Sequence, residues 1–282
     1  MKRFPDELKA GQTVPAIITI HGGNWSVDSG VTKGYYKYMT EFITEDCGCV
    51  HVNMEYRRMG AGGGLATGEN APAPYEQMLE DIQSVIEYLQ SHAATYHIDA
   101  SKIALMGWSA GGHLALLYAY MAKQGYYNYG DNIQLVISEA GPTYFCKMEG
   151  QQIIDLVATP DVCNLVGIDY KGANGYTNDE VNALVDASPI SYVAVEEGED
   201  AVDVPYTILA YGNGISCPNN EMGDGTVPYS QAQALETQLS NNGVQYDLYE
   251  LIGVGHGYFD ILINNSQYLI MLSSAFSTLK TN

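Results

Sequence analysis

The stretch Lys102–Lys123 reads KIALMGWSAGGHLALLYAYMAK. It opens with KIALM, the pattern of a buried strand, and closes with HLALLYAYMAK, the pattern of a buried helix. Between the two, Gly107-Trp108-Ser109-Ala110-Gly111 is GxSxG. A strand that turns directly into a helix around a serine presents that hydroxyl at the C-terminal edge of a sheet. The serine backbone is strained at such a turn, and small residues flank it because side chains would strike the adjoining strand and helix. This setting predicts a nucleophilic Ser109. The competing reading is a glycine-rich helix start in which Ser109 is an ordinary cap.

Outward from this corner, short apolar runs alternate with helical patterns, which predicts a mostly parallel sheet covered by helices. Val14–Ile20, Cys49–Met54, Ile103–Met106, Leu135–Ser138, Tyr206–Ala210 and Tyr246–Leu251 read as strands. Between Tyr75 and Ala94, Leu79, Ile82, Val85, Ile86 and Leu89 recur at helical spacing. Pro228 suits a first helical turn, with Ala232, Leu235 and Leu239 on the buried face behind it. A last helix is expected over about Ile261–Leu279. Residues 60–74 form a Gly/Pro/Ala-rich loop whose glycines do not fall as GxGxxG, so no dinucleotide site is read there. Residues 142–200 are a helix-like acidic insertion, expected to make a small cap. With no linker and no repeat, the expectation is one domain over residues 1–282.

The 282 residues are 46% hydrophobic, enough for a large core. Twelve Lys+Arg against 33 Asp+Glu give a net charge of −21, which argues against nucleic acid or an anionic membrane as partner. No run approaches the roughly 20 apolar residues of a membrane span. The start, MKRFPDELKAGQ, lacks the apolar core of a signal peptide. The chain as it stands therefore reads as soluble and cytoplasmic, or as secreted if a signal peptide precedes it. Cysteines 47, 49, 146, 163 and 217 fit no zinc spacing and are expected to be free and buried, with a Cys146–Cys163 bridge as the alternative.

A serine nucleophile needs a base. His256, in the glycine-lined GVGHGY after the last strand, is the best placed of the six histidines. His92 and His97 end a helix, His51 lies in a strand, and His113 follows Ser109 where packing, or support of the site from behind, is its ordinary role. The base needs a carboxylate to orient it. Asp224 begins DGTVP just before a helix, although an aspartate there is also an ordinary N-cap. Asp203, Glu221 and Asp186 are its rivals. An ester carbonyl gathers negative charge as it is attacked, so backbone donors must already face it. The N–H of Ala110 and the loop HGGNW (residues 21–25) are the candidates, and one such donor is worth roughly 3–4 kcal/mol in the transition state.

Together these segments resemble the α/β-hydrolase esterase/lipase superfamily, specifically its HGG-type carboxylesterase branch of acetyl-xylan and feruloyl esterase-like enzymes. HGGNW is similar to that branch's HGGGW, and EYRR (residues 55–58) to its YR segment. YHIDASKIALMGWSAGGHLALL resembles the nucleophile block, ASPISYV (residues 187–193) the SPxxYV segment, DGTVP the DxxVP, and GVGHG the histidine loop. The resemblance spans nearly all of residues 14–280. It implies an α/β-hydrolase fold, a Ser109–His256–Asp224 triad, and oxyanion N–H groups from Gly23, Asn24 and Ala110. It also implies a serine esterase for short-chain esters, including acetyl or feruloyl groups on plant polysaccharides, with no cofactor and no metal. Tyr126, Tyr127 and Tyr129 are candidate platforms for sugar rings.

Three features depart from that pattern. Residues 1–13 are too short for the β-hairpin that normally precedes the HGG strand, so the hairpin is expected to be absent. The stretch from Gly212 to Asp224 is longer than usual, and Asn24 stands where a third glycine is usual. Two other functions stay open. GW before the serine also occurs in prolyl-oligopeptidase-like peptidases, and a non-catalytic hydrolase-fold binding module would carry the same segments.

Overall fold

Six strands form one sheet in the computed structural model, which describes residues 11–26, 36, 39–59, 74–149, 152–172, 175–193, 203–219, 221–256 and 266–281. These strands are β1 (Val14–Ile20), β2 (Val50–Met54), β3 (Ile98–Trp108), β4 (Ile133–Glu139), β7 (Tyr206–Asn213) and β10 (Tyr246–Ile252). Two short antiparallel pairs complete the strands: β5 (Cys146–Glu149) with β6 (Gln152–Leu156), and β8 (Ile215–Ser216) with β9 (Met222–Gly223). The main order is β10-β7-β4-β3-β1-β2, and every neighbouring pair is parallel.

Parallel strands are covered on both faces, which is why VPAIITI of β1 is buried at every position. Side chains alternate between two cores. Ile18, Ile20, Ile103 and Leu105 pack with the helices Tyr75–Ser91, Ala110–Lys123 and Tyr229–Asn241. Ile17, Ala104, Met106, Leu135 and Ile137 pack on the other face. There Tyr268, Met271, Leu272, Ala275, Phe276 and Leu279 line one stripe of the helix Ser266–Thr281 at three- and four-residue spacing.

The expected strands and helices are present with shifted ends. β3 runs from Ile98, beyond the expected Ile103, because Ile98 pairs with Val14 ahead of a register shift. Pro228 caps the helix Tyr229–Asn241 from outside instead of lying in its first turn. Residues 261–265 of the expected last helix and 60–73 of the glycine-rich loop lie outside the described residues, as do residues 1–10. Within the described sheet β2 is an edge strand, paired with β1 alone. The described residues of 142–193 are less helical than expected. They begin with the β5–β6 hairpin, followed by the helices Pro160–Leu165 and Asn178–Asp186. The second of these opens with a Thr177/Glu180 capping box. All five cysteines are free and buried. Among the described residues no helix is long and apolar enough to cross a membrane.

Because all six strands run the same way, the loops after β1, β3, β7 and β10 emerge at one edge of the sheet. Ile20 is level with Gly107, Trp108 with Glu139, and Ile252 with Asn213. This edge carries the site.

Candidate active site

Ser109 sits at the corner between β3 and the helix Ala110–Lys123, with φ 53° and ψ −122°. A non-glycine residue held at positive φ costs about 1–3 kcal/mol and persists only where its surroundings enforce it. They do so here through close packing. A Cβ on Gly107 would lie 2.1 Å from the Gly111 carbonyl oxygen, and one on Gly111 would lie 2.1 Å from that of Ile20. The start of the helix is therefore pressed against the end of β1, and the corner cannot relax without breaking that contact.

His256 lies on the loop after β10, with Nε2 2.9 Å from Ser109 Oγ. Its Nδ1 is 2.7 Å from Asp224 Oδ2. With Nδ1–H donating to Asp224, Nε2 is left as the acceptor facing the serine hydroxyl. Asp224 itself is buried, its side chain 1% exposed. The competing capping role is also present, on the other oxygen. Oδ1 accepts from the backbone N–H groups of Thr226 (2.8 Å) and Val227 (2.7 Å). The His256 N–H also donates to the Asp224 carbonyl at 2.7 Å, so the two residues are joined through both main chain and side chain. The long stretch after Gly212 folds as the β8–β9 hairpin, which delivers Asp224 to this place. Gly212 permits the approach: a Cβ there would lie 2.2 Å from the Val254 carbonyl oxygen and 2.6 Å from Asp224 Cβ.

Two of the rival carboxylates, Asp203 and Glu221, are engaged elsewhere. Asp203 pairs with Lys123 at 3.0 Å, and Glu221 accepts from Ser230 Oγ. Asp186 ends the helix Asn178–Asp186, where burial raises the pKa of its carboxyl. The other histidines are also engaged. His51 meets the hydroxyls of Thr19 (2.8 Å) and Thr40 (3.0 Å). His92 packs on Tyr88, and His97 ends a helical turn in the left-handed region.

The HGGNW loop follows β1 beside this corner. Gly23, Asn24 and Trp25 all have positive φ, at 107°, 52° and 56°. Asn24 is exposed, whereas Ala110, at the head of the helix Ala110–Lys123, is buried. His21 anchors the loop. It is fully buried, stacks on Tyr56 at 4.3 Å, donates from Nδ1 to the Gly22 carbonyl, and has the Glu55 carboxylate 2.6 Å from Nε2. Tyr56 returns a hydrogen bond to the His21 carbonyl at 3.0 Å. The EYRR segment thus braces the loop from β2, a role its sequence did not reveal.

Two further residues support the site. His113 accepts from Trp25 Nε1–H at 3.3 Å through Nδ1 and donates from Nε2 to the Ala187 carbonyl at 2.8 Å. Burial lowers its pKa to about 4, so it is neutral and can hold both bonds. Trp108 donates its indole N–H to the His256 carbonyl at 3.1 Å. Tyr126 and Tyr127, by contrast, follow the C-terminal end of the helix Ala110–Lys123, Tyr126 edge-on to Tyr192 and Tyr127 tilted against Tyr118. A 14-residue helix, about 20 Å, separates them from Ser109, so they do not line this site. Among the described residues no group of three His, Cys, Asp or Glu is placed to hold a metal ion.

Comparison with known proteins bears on family and fold. The BD-FAE family model matches residues 5–239. Probable carboxylesterase 5 of Arabidopsis thaliana is 32% identical over 117 residues, covering 39% of this chain and 33% of the relative. Esterase LipQ of Mycobacterium tuberculosis is 23% identical over 262 residues, covering 92% of this chain and 53% of that one. The chain thus spans about a third to a half of the length of these curated relatives. A truncated carbohydrate esterase from gut microbiota superposes with a TM-score of 0.70 at 22% identity, covering 99% of this chain and 90% of that one. The fold is that of the α/β-hydrolases.

Proposed function

The chain belongs to the BD-FAE family, and from that premise we propose that it is a carboxylic ester hydrolase working through a Ser109 acyl-enzyme. The observation that carries this reading is His256, which stands between Ser109 Oγ at 2.9 Å and Asp224 Oδ2 at 2.7 Å. In the proposed cycle Ser109 Oγ attacks the ester carbonyl while Nε2 takes its proton. Asp224 holds Nδ1–H and stabilises the imidazolium. The N–H groups of Ala110, Gly23 and Asn24 receive the oxyanion. The imidazolium then protonates the leaving alcohol, and water attacks the acyl-enzyme with the same histidine as base.

The whole chain acts as one unit in this reading, with residues 142–200 as its cap. The substrates are short-chain esters, among them acetyl or feruloyl groups on plant polysaccharides. The carbohydrate esterase with the same fold and the acidic surface, which suits neutral sugars better than polyanions, favour that class. The test is hydrolysis of p-nitrophenyl acetate and labelling by a fluorophosphonate probe in the wild type and in Ser109→Ala. Loss of the nucleophile lowers kcat on the order of 10⁶-fold. Substantial turnover by Ser109→Ala refutes the assignment. Acetylated xylan, feruloyl esters and p-nitrophenyl esters of rising chain length then rank the substrates.

A further inference from the structure

We infer that Trp108 is a positioning residue that holds the histidine loop and the HGG loop in register with the nucleophile. The inference rests on the esterase reading above and adds a residue to it. Trp108 precedes Ser109 and is fixed by strand pairing level with Glu139, so its indole is placed by the sheet itself. The indole N–H donates to the His256 carbonyl at 3.1 Å, and the two rings lie 5.3 Å apart, tilted by 38°. Both backbone polar groups of His256 are therefore engaged: its N–H by the Asp224 carbonyl at 2.7 Å and its carbonyl by Trp108. The acid turn fixes one side of the histidine, and the nucleophile strand fixes the other.

The same indole also touches the HGG loop. A Cβ on Gly22 would lie 2.4 Å from Trp108 Cε3 and 2.8 Å from Cζ3. The ring thus lies directly on the Gly22 backbone, one residue before the candidate oxyanion donors. Simple packing accounts for a large apolar ring at position 108. It does not account for the indole N–H directed at His256, which a phenylalanine would lack. Through one side chain, the loops after β1 and β10 are both referred to the serine between them.

The test compares Trp108→Phe, which keeps a ring and loses the N–H, with Trp108→Leu, which loses both. One hydrogen bond of ordinary strength corresponds to a roughly 5- to 10-fold loss of kcat in Trp108→Phe, with KM unchanged. Releasing both loops in Trp108→Leu corresponds to about 100-fold, the usual cost of misplacing a catalytic group by about 1 Å. The second readout is the downfield proton resonance of His256 Nδ1–H. It is expected to shift in Trp108→Phe and to broaden away in Trp108→Leu while thermal unfolding stays cooperative. Wild-type kcat and an unchanged resonance in both variants overturn the inference, and so does a loss of kcat matched by a loss of folded protein. If the wild type neither turns over p-nitrophenyl acetate nor labels with a fluorophosphonate, the esterase reading fails. The proton resonance still decides the role of Trp108 in that case, because it reports the position of His256 without turnover.

Discussion

Two histidines outside the proposed triad should set how the protein responds to acid. His51 and His113 are buried, 2% and 0% exposed, and burial lowers the pKa of each from 6.5 to about 4. The folded chain therefore binds fewer protons than the unfolded chain between pH 4 and 6.5. Where the unfolded state binds more protons, stability rises with pH. The contribution is complete above pH 6.5 and is lost as pH falls towards 4. A gap of about 2.5 pH units at 1.36 kcal/mol per unit is roughly 3 kcal/mol for each histidine. That is a large share of the 5–15 kcal/mol typical of a folded domain.

The perturbation is His51→Gln, made separately from His113→Gln, since an amide can meet the same hydrogen-bond partners without titrating near neutrality. Urea unfolding followed by circular dichroism, from pH 4.5 to 7, gives stability at each pH. The 33 Asp and Glu residues add a pH dependence of their own, but they are common to all three proteins and cancel in the differences. Each variant should lose up to about 1.4 kcal/mol per pH unit of the wild-type slope inside this window. A wild-type–variant difference that stays constant across the range would refute the reasoning, whatever its size. For His113 the effect reaches the site as well, because protonated Nδ1 no longer accepts from Trp25.

Three more outcomes are expected. Asp224→Asn keeps an oxygen for the Thr226 and Val227 N–H groups but presents the wrong partner to His256, so kcat should fall on the order of 10⁴-fold with little change in melting temperature; activity near wild type would remove Asp224 from the triad. Gly111→Ala places a Cβ 2.1 Å from the Ile20 carbonyl oxygen and should cost about 1–3 kcal/mol or more in chemical denaturation, whereas wild-type stability would mean that the corner can loosen at no cost. Ellman's reagent should find five thiols in the denatured chain and react slowly with the native one, because burial pushes Cys47 up to about 11 and Cys49 up to about 12; three thiols after denaturation without reductant would indicate a disulfide.

What the sequence made legible follows from how far apart the interacting residues lie. The corner at Ser109 was readable because its strand, turn and helix are contiguous, and the small residues that shape it sit within five positions of the serine. The parallel sheet was readable for the same reason, since each strand carries its own apolar run. The β5–β6 hairpin was not, because CKME and QIIDL are short, mixed in polarity and set in a segment whose acidic composition suggests helix. Strand propensity is weak in pieces of four or five residues, and pairing decides them.

Asp224 shows why local pattern alone could not decide a role. An aspartate before a helix predicts capping, an aspartate after a late strand predicts a triad acid, and the two readings compete only if the carboxylate is treated as one acceptor. It has two oxygens. One serves Thr226 and Val227, and the other faces His256. The turn contacts hold the carboxylate at a fixed angle, so its capping role is part of what aims it at the imidazole. Trp108 and His113 follow the same logic at longer range. Trp108 reaches a residue 148 positions away and His113 reaches one 74 positions away, distances at which no sequence pattern survives. Packing or support beside the serine is as much as the sequence assigns to His113, and it names no partner for either residue. Their polar atoms give them a second use, and only the folded chain brings the partners for those atoms within reach.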